Sequence, residues 1–271
     1  ALAVTGNSTN LSSLPTRGGY NVSEAYVEFA VPLLTDVAYA QELSLSVSSR
    51  YSDYDTFGDT TNSKISLKCR PFDELLVRGT VAQGFRAPTI SNLYAGGSQP
   101  FAFYTDPCDT RFGASANNSA VRARCAADPR IGARADTFRQ LAQGFIPGTV
   151  AAPQTPLAFF SGAANTTLTP EDSLSQSAGF VWSPGFVSGL NISADYWKVR
   201  IGDTIVGDTP GAILNDCYIE GITSRCSPAL FTRDPVTGIV NNMVYGNRNA
   251  GFVKTEGFDL DLTYRFETDS M

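Results

Sequence analysis

The residues of this chain with the most specific chemistry are its cysteines. Five occur among 271 residues, and four form two close pairs in polar, turn-rich sequence, Cys108 with Cys125 and Cys217 with Cys226. A zinc ribbon is excluded because no CxxC knuckle is present. The spacing predicts two disulfides in an oxidising compartment, with four unpaired thiols as the alternative. Closing a loop the size of the first contributes roughly 3 kcal/mol to stability in the chain-entropy model.

No set of residues predicts catalysis. The chain contains no histidine, which excludes a Ser-His-Asp triad, a Cys-His pair and histidine-ligated zinc. It also lacks a P-loop and a GxSxG elbow. The acidic cluster of Asp53, Asp55 and Asp59 fails as an EF-loop, because Phe57 and Lys64 occupy positions that need oxygen ligands. A looser calcium site is the alternative, and we predict a protein that is not an enzyme and carries no cofactor and no metal.

The elements that must position the cysteines are β-strands. The sequence shows them as segments in which apolar and polar residues alternate with a period of two. Between 42 and 51, for example, Leu43, Leu45 and Val47 alternate with glutamate and serines. The pattern recurs, completely or in part, over 25–31, 64–70, 75–83, 174–182, 190–201, 251–255 and 258–266. We predict an all-β fold of about seven or eight long antiparallel strands.

Two details favour a transmembrane β-barrel over a soluble secreted β-sandwich, which is the alternative. The segments reach the length of about 9 to 11 residues that a tilted strand needs to cross a bilayer. Their polar faces carry the charges expected of a wide aqueous lumen, at Lys64, Lys68, Arg70, Arg78, Asp259, Asp261 and Arg265. The remaining cysteine, Cys69, shares the apolar parity of Ile65 and Leu67, and we expect it to be unpaired and inert on the lipid face.

The connections between strands predict the orientation of the barrel. Short connections at 31–38, 70–74 and 183–189 take turns with longer ones at 52–62, about 86–172 and about 202–250. Outer-membrane barrels have short periplasmic turns and long extracellular loops. Both cysteine pairs fall in the long set, so we expect them outside the cell.

An ordered set of motifs resembles the barrel of TonB-dependent outer-membrane receptors. The resemblance covers most of residues 39–266. Its features are Arg50-Tyr51 at a strand end, Tyr54 with Phe57-Gly58, Lys64, Arg70-Pro71 at a turn, Leu76 with Arg78, Gly84-Phe85-Arg86-Ala87-Pro88 leading to Leu93-Tyr94, Thr169-Pro170-Glu171, Trp182-Ser183-Pro184, Asp195-Tyr196-Trp197, and Gly257-Phe258-Asp259-Leu260 before Tyr264-Arg265-Phe266.

This resemblance implies an active importer of the bacterial outer membrane. Barrels of this kind have about 22 strands and a plugged lumen. The plug is an N-terminal domain that couples to the inner-membrane TonB complex, and outer loops bind a scarce ligand such as a ferric siderophore, cobalamin or an oligosaccharide. We find neither a plug nor a closing strand, and we expect residues 1–271 to be part of a longer barrel domain. A passive porin-like channel is the alternative function.

Candidate ligand contacts lie in the long loops and the lumen. An aromatic cluster near Cys108 would stack on a sugar ring or an aromatic siderophore, although packing of the loop against itself is the interpretation we favour. Two arginines would steer an anionic ligand, although a wet lumen alone explains them. The seven residues are Phe101, Phe103, Tyr104, Phe159, Phe160, Arg78 and Arg86. We also predict a short helix over 210–221 that begins at Pro210.

Besides the ligand, the predicted partners are outer-membrane lipid and the TonB complex. Nucleic acid is not expected, since 26 acidic residues outnumber 20 basic ones and the bases form no run.

Overall fold

The computed structural model describes residues 12–140 and 159–266. The chain divides into two compact units, which are described separately below. The sheet unit comprises Tyr20–Pro88, Thr169–Ile205 and Asn249–Met271, and the loop unit comprises Ala1–Gly19, Thr89–Leu168 and Val206–Arg248, each within the described residues. No helix in these described ranges is long and apolar enough to cross a membrane.

The sheet unit contains a seven-stranded antiparallel sheet. Numbering all strands of the chain in order, its strand order is β1-β2-β3-β4-β7-β8-β12. The bounds are β1 Val22–Val37, β2 Ala40–Tyr54, β3 Gly58–Phe72, β4 Leu75–Arg86, β7 Glu171–Trp182, β8 Leu190–Gly202 and β12 Phe252–Tyr264. These lengths exceed the about 9 to 11 residues that cross a bilayer, and the predicted number of strands is confirmed.

The register gives the sheet one apolar and one polar face. On β2 and β3, Leu45 lies opposite Leu67 and Val47 lies opposite Ile65. Because side chains alternate along a strand, the serines and charged residues between them form the opposite face. Cys69 is unpaired, as predicted, and it lies opposite Leu43 on the apolar face.

Several predicted strand ends and connections were wrong, because main-chain pairing continues beyond the apolar alternation. The connection at 31–38 shrinks to a tight turn after Val37, with positive φ at Asp36 and Tyr39. The connection at 52–62 is also short, since Tyr54 already pairs with Gly58. Segments 251–255 and 258–266 form one strand, and β4 continues to Arg86.

The connections from β4 to β7 and from β8 to β12 are long, and their described residues are not irregular. Among these residues are the helices α1 Ile90–Tyr94, α2 Ser119–Ala127 and α3 Pro210–Tyr218. A small sheet has the order β10-β11-β6-β5, with β9 paired to β11. The bounds are β5 Gly96–Ser98, β6 Phe160–Ala163, β9 Ile205–Gly207, β10 Phe231–Arg233 and β11 Val240–Asn249.

Local sequence explains where the helices of the loop unit begin. The Asn118 side chain caps α2 by accepting from the amides of Ala120 and Val121. Thr209 caps α3 in the same way, and Pro210 occupies its first turn. The helix predicted over 210–221 is therefore confirmed, and it ends at Tyr218.

The loop unit has a water-excluding core of its own. Helices α2 and α3 and strands β10 and β11 contribute apolar side chains that are fully or almost fully buried. The largest are Tyr218, Phe159, Phe231, Ile131, Ile213, Leu214 and Met243. This core holds the segments that carry the cysteines in place.

Candidate functional site

Both predicted disulfides are present in the loop unit. Cys108 bonds to Cys125 on α2 with Cα atoms 5.8 Å apart, and Cys217 on α3 bonds to Cys226 with Cα atoms 5.0 Å apart. Cys108 and Cys125 are completely buried and Cys217 nearly so. The bridges therefore belong to the core rather than to the surface of the loop.

A buried ion pair lies in the centre of this unit. Arg233 on β10 donates from Nη1 and Nη2 to the carboxylate of Asp106 at 2.6 and 3.1 Å. Both side chains are at most 1% exposed. Burial acts to lower the pKa of the Arg233 guanidinium, but Asp106 and Tyr218 outweigh it and raise the pKa. The guanidinium therefore remains charged within the core.

Tyr218 extends this pair into a chain of polar groups. Its hydroxyl accepts from Arg233 Nε at 3.1 Å and donates to Asp128. Burial acts to raise the pKa of Asp128, but hydrogen bonds from Arg130 and Tyr218 outweigh it and lower the pKa to about 2. Burial, opposed by Arg233, raises the pKa of Tyr218 above its ordinary range. Asp128 is thus an anion and Tyr218 a neutral donor at neutral pH.

A second group of ion pairs fastens the segments beside Cys217–Cys226. Arg225 and Arg248 each bridge Asp208 and Asp216, at distances between 2.7 and 3.3 Å. Asp216 precedes Cys217 and Arg225 precedes Cys226. The disulfide and the ion pairs therefore join the same two segments.

An open cavity of about 610 Å³ lies against the second disulfide. Asp128, Arg130 and Tyr218 line it together with Arg124. The first three are already bonded to one another, and Arg124 Nη1 donates to the carbonyls of residues 218 and 219 at 3.0 and 2.7 Å. Because these charged groups are already hydrogen-bonded within the protein, a molecule in the cavity would meet mainly its shape and its apolar lining.

The structure separates the predicted aromatic residues into two groups. Tyr104 and Phe159 are buried in the core, with ring centroids 6.0 Å apart. Phe160 is half-buried on β6, whereas Phe101 and Phe103 are 39% and 69% exposed. Packing accounts for the first two rings, and ligand contact stays a prediction for all five.

The two predicted arginines are engaged in ion pairs in the sheet unit. Arg78 donates from Nε and Nη2 to Asp195 at 3.1 and 2.7 Å, across the β7 residue Gly179. Arg86 donates to Glu171, whose carboxylate also accepts from the Ile205 amide. Their role in steering an anionic ligand stays a prediction, and any anion would have to compete with these carboxylates.

Sequence reasoning missed the polar chain in the loop unit. Asp106 and Arg233 are 127 positions apart, and neither belongs to a recognisable motif. The only local signal was the helix that carries Tyr218. Within the described residues, no group of three or more cysteine, aspartate or glutamate side chains is placed to hold a metal.

The family model for the TonB dependent receptor-like β-barrel matches residues 3–270. The chain belongs to this family. TonB-dependent receptors are outer-membrane proteins of Gram-negative bacteria, and this chain is accordingly part of an outer-membrane β-barrel. The soluble-sandwich alternative is thereby excluded.

Solved structures of a ferric enterobactin receptor share the fold. A double mutant of the ferric enterobactin receptor PfeA from Pseudomonas aeruginosa matches with a TM-score of 0.52 at 13% identity, over 89% of this chain and 24% of that one. A PfeA mutant in complex with enterobactin matches with 0.51 at 13% identity over the same shares. The siderophore receptor PirA from Acinetobacter baumannii matches with 0.49 at 14% identity, over 91% and 26%.

The chain spans about a quarter of the length of these receptors. At such identities the likeness shows the fold alone. A search of curated proteins found no match.

Proposed function

We propose that this chain is part of a receptor that binds a scarce ligand outside the cell and imports it with TonB-coupled energy. The observation that carries the proposal is the loop unit. Two long connections of a transmembrane sheet fold into one disulfide-braced body with a buried ionic core. A merely passive pore does not need an outer body of this rigidity, whereas selective capture benefits from preorganised contacts.

A ferric siderophore is the ligand class that we favour. One structural relative is a ferric enterobactin receptor bound to enterobactin. Phe103 and Phe101 present aromatic rings at the surface of the loop unit, where they would pack against an aromatic chelator. Cobalamin and oligosaccharides are the other candidates, and the iron would be cargo rather than a resident metal.

Membership of the family supports a proposal for the rest of the receptor. We infer that residues 1–271 are part of a wider barrel, that a plug domain fills its lumen, and that the plug contacts the TonB complex. We assign no enzymatic step to the chain. The long connections, at about 86–172 and 202–250, would be extracellular.

Uptake in cells tests this function directly. Cells that express the natural full-length protein should accumulate radiolabelled ferric siderophore, and deletion of its gene or of TonB should each abolish the gain. Transport that persists without TonB would support the passive-channel alternative. Uptake of cobalamin or an oligosaccharide, but of no siderophore, would retain the receptor and change the ligand.

A matched pair of variants tests the aromatic contact. Phe103→Ala should weaken ligand binding about two- to tenfold, because an aromatic stacking contact contributes about 0.5 to 1.5 kcal/mol. Val236→Ala is the control, since Val236 is 77% exposed in the same unit and is not aromatic. Fluorescence titration of the purified receptor measures both. Equal affinities would remove Phe103 from the site.

A further inference from the structure

The cavity beside the second disulfide lies at a seam between the two long connections. Its wall from the first connection is the end of α2 and the segment that follows, with Ala127 and Pro129. Its wall from the second connection is the segment after α3, with Gly221, Thr223 and Pro228. Two distant parts of the chain therefore border one space of about 610 Å³. This volume lies in the usual range of small-molecule sites, about 300 to 1,000 Å³.

Hydrogen bonds across the seam hold the two walls in place. Arg130 donates from Nη2 to the carbonyl of Cys226 and from Nη1 to the carbonyl of Phe231, each at 3.3 Å. Arg124 makes a similar link through Nη1 to the carbonyls of residues 218 and 219. Both arginines belong to the first connection and all four carbonyls to the second. Because the walls are already fixed, a ligand would bind without the entropic cost of ordering them.

The charged groups that line the cavity leave one positive charge without a counterion. Asp128 and Arg130 neutralise each other, with 2.6 Å between Arg130 Nη2 and the carboxylate. Arg124 forms no ion pair within the part of the chain that the structure describes, and its Nε and Nη2 have no acceptor there. These two nitrogens lie 3.0 and 3.5 Å from the place that a Cβ atom at Gly221 would take. Gly221 has a positive φ and no side chain, so this edge of the guanidinium is left uncovered.

The uncharged part of the lining favours a flat apolar ring. It includes two proline rings, the Ala127 methyl group and the second disulfide. Guanidinium groups also stack on aromatic faces, and Arg130 already does so, with its Cζ atom 4.6 Å from the centre of the Phe231 ring. A planar ligand would thus find apolar contacts on the walls, and a carboxylate on it would accept from the Arg124 Nε and Nη2 edge in bidentate geometry.

We propose that this seam cavity is a binding site for a small aromatic monoanion, with the ring on the apolar lining and the carboxylate on Arg124. A bound molecule would contact both connections and stabilise the loop unit through binding linkage. Phe101 and Phe103, which we propose as contacts of the transported ligand, are not among the described residues that line the cavity. The site is therefore distinct from that contact, and its test requires no transport.

Equilibrium dialysis of the natural full-length receptor, held in amphipol and corrected with an amphipol blank, tests this site with naphthoate as the probe. The wild type should bind naphthoate saturably. It should bind the neutral naphthamide about tenfold more weakly, because the charge-assisted hydrogen bonds are lost, and it should also bind the saturated decalin carboxylate more weakly. Arg124→Gln should remove the preference for the anion. Hydrogen exchange in α2 and in residues 221–228 should slow when naphthoate is bound.

Two substitutions on α2 form a matched pair. Ala126 and Ala127 are both exposed, but only Ala127 lines the cavity. Ala127→Trp should fill the cavity and abolish saturable binding, whereas Ala126→Trp should bind like the wild type. Hydrogen exchange without ligand verifies the fold of each variant.

Three results would overturn the proposal. The first is a wild type that does not bind naphthoate saturably, and the second is equal binding by the two tryptophan variants. The third is equal binding of naphthoate and either of its analogues, because the cavity would then not recognise an aromatic anion.

Discussion

The sheet unit and the loop unit bury their apolar side chains in different ways, because the sheet unit faces lipid and the loop unit faces water. Apart from Pro88 and Pro184, every buried apolar side chain in the described residues belongs to the loop unit. The sheet unit instead exposes its large apolar side chains on one face, with Phe258 at 83% and Leu260 at 77%. Lipid covers that face in the membrane, whereas the loop unit must exclude water with its own core. The same chain therefore contains a membrane sheet and a small globular body.

Ion pairs differ between the units for the same reason. Arg233 and Asp106 are withdrawn from water, while Arg78 and Arg86 are half exposed at 52% of their side chains. Removing one member of a buried ion pair leaves an uncompensated buried charge, which is strongly destabilising, whereas exposed ion pairs contribute little to stability. Substitutions in the core of the loop unit should therefore cause a large loss of stability. The effect of a substitution in the sheet should depend on whether it lies on the apolar or the polar face.

The largest effect is expected at Arg233. Arg233→Met leaves Asp106 buried without its partner and should cost about 3 to 5 kcal/mol of local stability. Hydrogen exchange of amides in α3, β10 and β11 measures this, with sheet amides unchanged. Adding Asp106→Asn removes the stranded charge and should recover part of the loss. Unchanged exchange in Arg233→Met would mean that the pair is not buried.

A charge on the apolar face of β12 should have the next largest effect. Leu260→Lys should cost about 2 to 4 kcal/mol near the bilayer midplane, measured by reversible unfolding from lipid vesicles. Thr263→Lys is the matched control, because Thr263 lies on the polar face of the same strand. Equal losses for the two variants would contradict the assignment of faces.

Removal of the second disulfide should weaken the loop unit alone. Replacing Cys217 and Cys226 with serine opens a loop with a separation of 9 residues, for which chain entropy gives about 2.5 kcal/mol. Faster hydrogen exchange in α3 is the expected observation. Cys69→Ser is the control and should leave α3 unchanged, since Cys69 is unpaired in the sheet. An equal effect from both would show that thiol chemistry elsewhere is responsible.

A smaller effect is expected where Arg78 crosses β7. A Cβ atom at Gly179 would lie 2.1 Å from Asp195 Oδ1 and 2.5 Å from the Ala194 carbonyl oxygen. Gly179→Ala should therefore displace the Asp195 carboxylate and the neighbouring backbone, at a steric cost of about 1 to 2 kcal/mol. At Gly79 the nearest atom would be 3.7 Å away, so Gly79→Ala should be tolerated. Unfolding from vesicles compares the two variants, and equal stability would contradict the close approach of Asp195 and Ala194 to Gly179.

The smallest expected effect is a loss of stability of the loop unit in acid, through Asp128. The pKa of Asp128 is lowered from 3.8 to about 2, so its stabilising effect is complete above about pH 4 and is lost as the pH falls towards 2. Hydrogen exchange in the loop unit between pH 5 and 2 should show this loss. Asp128→Asn should flatten the dependence, and a wild-type loop unit indifferent to this range would contradict the stated hydrogen bonds.

Much of the sheet was predictable because its pattern is local. Alternation in 42–51 and 64–70 predicted faces that the register confirms at Leu45 with Leu67 and at Val47 with Ile65. The disulfides followed from spacing, and α3 followed from Pro210. Strand ends were predicted less well, since main-chain pairing does not require apolar side chains and continues into polar sequence, as at Arg86.

The sequence by itself determined which segments cross the membrane, which face of each is apolar and which cysteines join. Only the tertiary structure showed that Arg233 pairs with Asp106 and that Arg78 reaches Asp195. The reason is physical. Period-2 alternation is written along a single strand, whereas an ion pair between residues 127 positions apart depends on how the strands and helices between them are packed.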